Sequence, residues 1–411
     1  MTSSPRRMAS VEEQMTVLMA GTEWGDDATR RTMERELRER LAEDRPLRVY
    51  CGFDPTKVDL HLGHTVPMRK MRQFQDFGHD VTFLIGSFTA LIGDPTGKDR
   101  TRPVLTPEEI ETNAKTYTDQ AFAVLDRERT KIAFNGEWLA KLSFADVLRL
   151  TAQFTVAQFM RRENFSKRYE AGDPIHVSEF LYAMMQAYDA DYMDTDVQIG
   201  GTDQTFNLMA GRQLQESSGH RPQICITLPI LVGTDGHEKM SKSLGNYVGI
   251  TDAPNEMFGK IMSIPDEAIV PYFTLVTRLH PTEVEEIRAD LEMRRLHPLD
   301  AKKRLGETIV EIFHGAAEAA AAREYFESTF QRRETPDEMP EHAVDGPTAI
   351  IDLLVGAEIA ASKGEVRRLV QQGGVQVNGE RVEDANAEVN AGDEVRVGRH
   401  RFLRIVAKGS R

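Results

Sequence analysis

The stretch "CGFDPTKVDLHLGH", Cys51 to His64, decides how this chain is read. It continues the apolar run "LRVY", breaks it at Gly52 and Asp54-Pro55, and passes into a helical pattern near Leu60. β-Branched and aromatic residues closed by Gly and Pro read as a strand ending in a turn. The same signature recurs at "DVTFLIGSF" (80–88), "KIAF" (131–134), "DVQIGG" (196–201) and "QICITLPIL" (223–231), each followed by turns and a longer helical pattern. Strands alternating with helices predict an α/β fold whose parallel sheet is covered on both faces. Ligands in such folds bind at the carboxyl ends of the strands, where "CGFD", "IGSFTALIGDPTGK" and "IGGTDQ" fall.

His61 and His64 stand three apart, a spacing that also suits a metal site. Cys51 and Cys225 are the only cysteines, too few for a disulfide framework or a cysteine-based zinc site. Zinc at the two histidines would need carboxylate or water ligands that the sequence does not point to. At the positive N-terminus of a helix the imidazoles would instead meet phosphate, and Gly63 between them would let a nucleotide ring approach the backbone. With 411 residues the chain is long enough for two to four domains. It has no apolar run of about 18 residues, so no membrane span is expected. "MTSSPRRMAS" has no apolar core of a secretory signal, and a cytoplasmic protein is expected.

The formal charge is −14, which argues against coating nucleic acid by charge alone. Its distribution is uneven: residues 346–411 balance at +1, the first 345 at −15, and Arg396 to Arg411 holds six basic residues and no acidic one. That strip is a candidate phosphate contact. Residues 1–45 read as an N-terminal helical segment, 46–235 as the sheet domain and 236–331 as mostly helical. "RRETPDEMPEHAVDGP", 332–347, reads as a linker. The last module, 348–411, opens a helix at Ser362 with Glu365 in capping-box spacing and places Asn378-Gly379 as a hairpin turn. Helices followed by strands make it a small α+β unit.

Two common nucleotide signatures fail. There is no G-x-G-x-x-G after a strand, and "GDPTGKD" is too short and lacks the Ser/Thr of a phosphate loop. What remains is "HLGH" (61–64) with "KMSKS" (239–243) in a loop rich in Ser and Gly. Preorganised donors on both sides of a phosphate stabilise charge and need no nucleophile. In "SEFLYAMMQAYDADY", Tyr182, Gln186 and Asp189 form one polar stripe on an otherwise apolar helix, and a buried Asp needs a donor. Tyr50 and Asp94, at two strand ends, offer further polar groups to the same pocket.

"HLGH" and "KMSKS" together resemble the two signatures of class I aminoacyl-tRNA synthetases. "YCGFDPT", "LIGDPTGK", "YAMMQAYD" and "GGTDQ", in that order, resemble the tyrosyl-tRNA synthetases in their bacterial form. The resemblance implies a Rossmann-like catalytic domain, a helical domain and a small S4-like RNA-binding domain, with a dimerisation insertion near 113–170. It implies that Tyr50 and Asp189 bind the phenol of L-tyrosine, that Asp94, Tyr182 and Gln186 bind its α-amino group, and that Gln204 lies by its carboxylate. Gly201 and Asp203 would meet the ribose of ATP. Cys51, Gly52, Asp54, Thr56 and Gly63 would line the ATP side, with Met240, Ser241 and Ser243 from the lysine loop, and Lys98 and Arg102 are candidates for the pyrophosphate. His61, His64, Lys239 and Lys242 would carry catalysis. Lys363, Arg367 and Arg368 would touch the backbone of tRNA(Tyr). ATP is a substrate accompanied by Mg2+, with no tightly bound cofactor and no protein metal site, and a homodimer is implied.

Three rivals remain. A tryptophanyl-tRNA synthetase shares fold and signatures but has less use for Asp189 opposite Tyr50 and is not expected to end in this RNA-binding module. A catalytically silent RNA-binding protein on a synthetase scaffold would need neither "HLGH" nor "KMSKS". A small-metabolite adenylyltransferase leaves the helical and C-terminal modules unexplained.

Overall fold

The computed structural model describes residues 8–55, 60–96, 106–331, 339–357, 359–398 and 401–408. Thr56, Lys98 and Arg102 lie outside the described residues. The chain divides into two compact units, 1–319 and 320–411.

The first unit is built on five parallel strands, β1 (Arg48–Phe53), β2 (Asp80–Ile85), β3 (Thr130–Phe134), β4 (Val197–Gly201) and β5 (Ile224–Leu228), in the order β3-β2-β1-β4-β5. All five fall on the expected apolar runs. β1 is central, pairing Val49 with Val81 on one side and with Val197 on the other. The strand order therefore reverses between β1 and β4, the switch point at which such sheets open a crevice. The Leu62–Phe77 helix leaves that point and ends at Gly78, whose φ of 99° suits only glycine.

Two N-terminal helices, Val11–Met19 and Asp27–Leu41, are tied to this sheet by buried charge. Asp196 receives Arg40 at 2.7 Å and Arg45 at 2.8 Å. Burial alone would raise its pKa, but the hydrogen bond from Arg45 and the neighbouring guanidinium charges hold it well below the usual carboxylate range. Lys70 Nζ donates to the carbonyls of Val17, Leu18 and Ala20 at 2.9–3.2 Å, which caps the end of the first helix.

Three boundaries differ from the sequence reading. The segment expected as an insertion, 113–170, contains β3, the sheet's edge strand. The division at 235 is not a break between compact units. Hydrogen bonds from Tyr272 Oη to Val232 O (2.7 Å) and from Arg69 Nε to Thr277 O (3.0 Å) bind the later helices to the sheet segment. The expected linker, 332–347, ends in a strand, Glu341–Val344, parallel to Arg401–Ala407. Only Val344 of that strand is buried, so its partner is found through the backbone ladder rather than an apolar pattern.

The second unit has its own core, including Val344, Ile350, Leu354, Val366, Val375 and Leu403. A five-stranded sheet and a two-stranded pair enclose the helices Ile350–Gly356 and Lys363–Gln371. The hairpin turns at Asn378 (φ 51°) and Gly379 (φ 83°), as the Asn-Gly signal requires. The capping box forms by half. Ser362 Oγ accepts from Glu365 N (3.3 Å), while the Glu365 carboxylate reaches Ala361 N (2.8 Å) instead of Ser362.

A candidate active site at the sheet switch point

His61 is the N-cap of the Leu62–Phe77 helix, and the two histidines close a capping box. His61 Nδ1 accepts from Gly63 N and His64 Nδ1 from His61 N, both at 3.2 Å, with the rings 3.9 Å apart. An imidazole that accepts at Nδ1 carries its proton at Nε2, so the pair presents N–H donors beyond the helix end. A Cβ at Gly63 would sit 3.0 Å from the His61 ring and 3.7 Å from Met240 Cβ, so glycine here permits both the position of the His61 ring and the approach of the lysine loop.

That loop is held by backbone pairing on either side. Met240 N donates to Leu231 O (2.9 Å), Leu62 N to Val248 O (3.0 Å) and Ile250 N to Leu60 O (3.2 Å). Met240 is 5% exposed and anchors the loop, while Lys239 is exposed and Lys242 half-buried, its ammonium 5.6 Å from the Tyr247 ring centroid. Asn246, buried, takes Ser241 N on its oxygen (2.8 Å) and donates to Asp235 (2.6 Å). "HLGH" and "KMSKS", 175 residues apart in sequence, thus wall one cavity of about 350 Å³, which also includes Asp203. Ser243 lines neither this cavity nor its neighbour; its hydroxyl meets Ser241 Oγ at 2.8 Å.

A second cavity of about 270 Å³ adjoins it, sharing His64, Tyr117 and Gly201, and reaches down between β1 and β4. Tyr50, Asp94, Tyr182, Gln186, Asp189 and Gln204 all line it. Cys51, Gly52 and Asp54, expected on the ATP side, line this cavity as well. Asp189 is 2% exposed; Oδ1 accepts from Trp138 Nε1 (2.7 Å) and Oδ2 from Asn135 Nδ2 (3.1 Å). Burial pushes its carboxyl up to about 7 against those two donors. The Tyr50 hydroxyl is buried and has no hydrogen-bond partner among the described residues. Asp54 accepts from Tyr182 Oη (2.9 Å) and Thr89 Oγ1 (2.8 Å), and Asp94 from Gln204 Nε2 (2.6 Å) and Thr96 N (2.8 Å).

Several residues at this site were not singled out from sequence. Asn135 and Trp138 follow β3 directly, so the strand-end rule that found Asp94 would have found them. Arg162 has no such signal. It is buried between Phe165 and Phe206, donates to Thr96 Oγ1 (2.7 Å), and keeps Nη1 without a partner among the described residues. With Asn164 Nδ2 on Pro95 O (2.9 Å) it pins the turn that carries Asp94. In the second unit, Arg367 and Arg368 are exposed on the Lys363–Gln371 helix, whereas Lys363 pairs with Asp352 at 2.5 Å.

Residues 42–331 match the family described as tRNA synthetases class I (W and Y), and residues 331–409 match the tyrosine–tRNA ligase SYY-like C-terminal domain. The tyrosine–tRNA ligase of Thermotoga maritima is 50% identical, over 90% of this chain and 93% of its own. That of Aquifex aeolicus is 49% identical over 96% and 99%. Among solved structures, the tyrosyl-tRNA synthetase of Archaeoglobus fulgidus complexed with L-tyrosine aligns with a TM-score of 0.60 at 26% identity, covering 76% of this chain and all of that one. These matches span nearly the whole sequence, and the chain belongs to the class I tRNA synthetases, in their tyrosine–tRNA ligase branch.

Proposed function

We propose that the chain activates L-tyrosine with ATP in the two adjoining cavities and passes the tyrosyl group to the 3′ end of tRNA(Tyr). The observation that carries this reading is the Tyr50 hydroxyl, buried without a partner among the described residues and sharing the deeper cavity with the Asp189 carboxylate. A phenol donates its proton to Asp189 and accepts one from Tyr50, which satisfies both. An indole N–H is a donor only and offers no acceptor for the Tyr50 proton, and phenylalanine offers nothing to either group, leaving buried polar groups unpaired.

At the other end of the amino acid, the α-ammonium meets Asp94, Gln186 and Tyr182. The Tyr182 proton is committed to Asp54, so its oxygen is turned to accept from the ammonium. Gln204 lies by the carboxylate, which attacks the α-phosphate of ATP. The bond to the bridging oxygen breaks and pyrophosphate leaves with the electron pair. Charge growing on the leaving group meets the Nε2–H of His61 and His64 from one side and Lys239 and Lys242 from the other. Gly201 and Asp203 hold the ribose. Gly63, Met240 and Ser241 complete the ATP side, with Ser243 behind them on Ser241; Cys51, Gly52 and Asp54 reach ATP from the adjoining cavity, Thr56 is assigned to ATP with them, and Lys98 and Arg102 are assigned to pyrophosphate. ATP enters as its magnesium complex. The test is exchange between ATP and labelled pyrophosphate: tyrosine should support it, phenylalanine and tryptophan should not, and exchange as fast with tryptophan would overturn the reading.

The second unit grips tRNA through Lys363, Arg367 and Arg368. Arg367→Glu with Arg368→Glu should slow tRNA charging and leave pyrophosphate exchange unchanged; equal charging removes this helix from the interface. The working form is a homodimer. Phe144, Leu148, Val156, Tyr169 and Val177 expose apolar side chains on the segment after β3, and that edge strand has one open side. A monomer by light scattering at micromolar concentration would refute this. No described helix is long and apolar enough to cross a membrane, and Cys51 and Cys225 are free and buried; we place the protein in the cytoplasm.

A further inference from the structure

Away from both cavities, a cleft of about 170 Å³ lies between the second half of the Leu62–Phe77 helix and the turn at Arg278–Pro281. Its polar lining is Arg69, Arg72, Gln73, Asp76, Arg278 and His280. Phe77 and Leu279 form part of its apolar wall, which reduces the screening of charge by water.

Arg69 is 6% exposed; its Nε donates to Thr277 O (3.0 Å), but Nη1 is buried without a partner among the described residues. Gln73 Oε1 is in the same state. Asp76 accepts from Arg72 Nε at 2.8 Å, and Arg278 is exposed with no ion pair among the described residues. Three guanidinium groups therefore face one carboxylate. Burial, and then the Arg278 charge, push the Arg69 guanidinium down to about 10.

Water can satisfy the two orphaned atoms but leaves the excess positive charge. Chloride or an ionised carboxylate offsets the charge but has no proton for Gln73 Oε1. Hydrogen phosphate, or a singly protonated phosphate monoester, does both. We propose that this cleft binds a phosphate group, as the free ion or as a terminal monoester, with its oxygens on Arg69, Arg72 and Arg278 and its P–OH on Gln73. The ligand leaves the adenylate chemistry untouched and fills a separate site.

The test is titration of the full-length protein with inorganic phosphate, followed by calorimetry, with a non-hydrolysable tyrosyl-adenylate analogue occupying the active site. Saturable binding is expected, weakened about tenfold or more in Arg278→Ala and in Arg72→Ala, as for loss of one charge-assisted bond. Arg278 is exposed, so its variant should keep the wild-type Tm, which excludes misfolding as the cause. A parallel titration with glycerol 3-phosphate separates the sources: matching affinity assigns a monoester, and binding of phosphate alone assigns the free ion. No saturable binding of either, or binding unchanged by Arg278→Ala, overturns the proposal.

Discussion

The two adjoining cavities are built in opposite ways. In the deeper one the carboxylates are already engaged by protein donors: Asp189 by Trp138 and Asn135, Asp54 by Tyr182 and Thr89, Asp94 by Gln204. In the outer one the lysines stand on a loop anchored by Met240 and Asn246, Lys239 exposed and Lys242 half-buried over the Tyr247 ring. A pocket that must tell one side chain from another needs its polar atoms fixed before the ligand arrives, because discrimination comes from what the wrong ligand leaves unpaired. A loop that meets charge only as pyrophosphate departs needs anchored ends and movable cations.

The contrast breaks most visibly at the loop. Lys242→Ala should slow adenylate formation by roughly two to three orders of magnitude and shift tyrosine affinity by less than about twofold, since its partner appears in the transition state. Single-turnover rates and equilibrium titration read the two effects separately. A large loss of tyrosine affinity would mean that the cavities are not divided as described.

Asp189→Asn comes next. It replaces an acceptor that serves two donors and should lower the preference for tyrosine over phenylalanine by roughly 10- to 100-fold, the range for a charge-assisted bond. Because burial holds the carboxyl at about 7, the wild-type preference should rise as pH increases through that value, and the variant should show no such rise. The sign for stability is opposite. A carboxyl whose pKa is higher folded than unfolded favours the folded state at low pH, so its contribution declines from about pH 4 to about pH 7. Denaturation across that window should show a shallower decline in the variant.

Arg162→Ala sharpens the comparison, because Arg162 touches the turn beside the deeper cavity through Thr96 without lining that cavity. The KM for tyrosine should rise about tenfold with kcat within about twofold, as the turn carrying Asp94 loosens. Arg162→Lys should restore part of the KM, and an equal fall in kcat would place Arg162 in the chemistry instead. The smallest effect belongs to Tyr50→Phe. One neutral hydrogen bond is worth about 0.5–1.5 kcal/mol, so preference for tyrosine should fall by a factor of about 2 to 10. An unchanged ratio would mean that the phenol is read elsewhere.

The chain's own letters carried the sheet and the approximate place of the site. Five apolar runs with turn residues behind them became β1 to β5, and Asn378-Gly379 became the hairpin, because these signals act within a few residues. The strand Glu341–Val344 was hidden in an acidic, proline-bearing segment, since a strand recruited by backbone pairing shows little apolar alternation. The cut at 235 follows a change in composition, whereas the hydrogen bonds that join the later helices to the sheet segment within one compact unit do not depend on composition.

What the sequence determined by itself was the strands, the helix opening at His61, the stripe of Tyr182, Gln186 and Asp189, and the motifs that name the family. Periodicity and turn chemistry are local, and they survive in any arrangement of the chain. Only the tertiary structure decided who holds whom. Trp138 reaches Asp189 across 51 residues, Arg162 reaches Thr96 across 66, and Arg69 is buried in one cleft with Arg278, its Nη1 without a partner among the described residues. These pairings follow from the order in which strands assemble and from which buried donor lies nearest a buried acceptor, and no spacing in the linear chain encodes that distance.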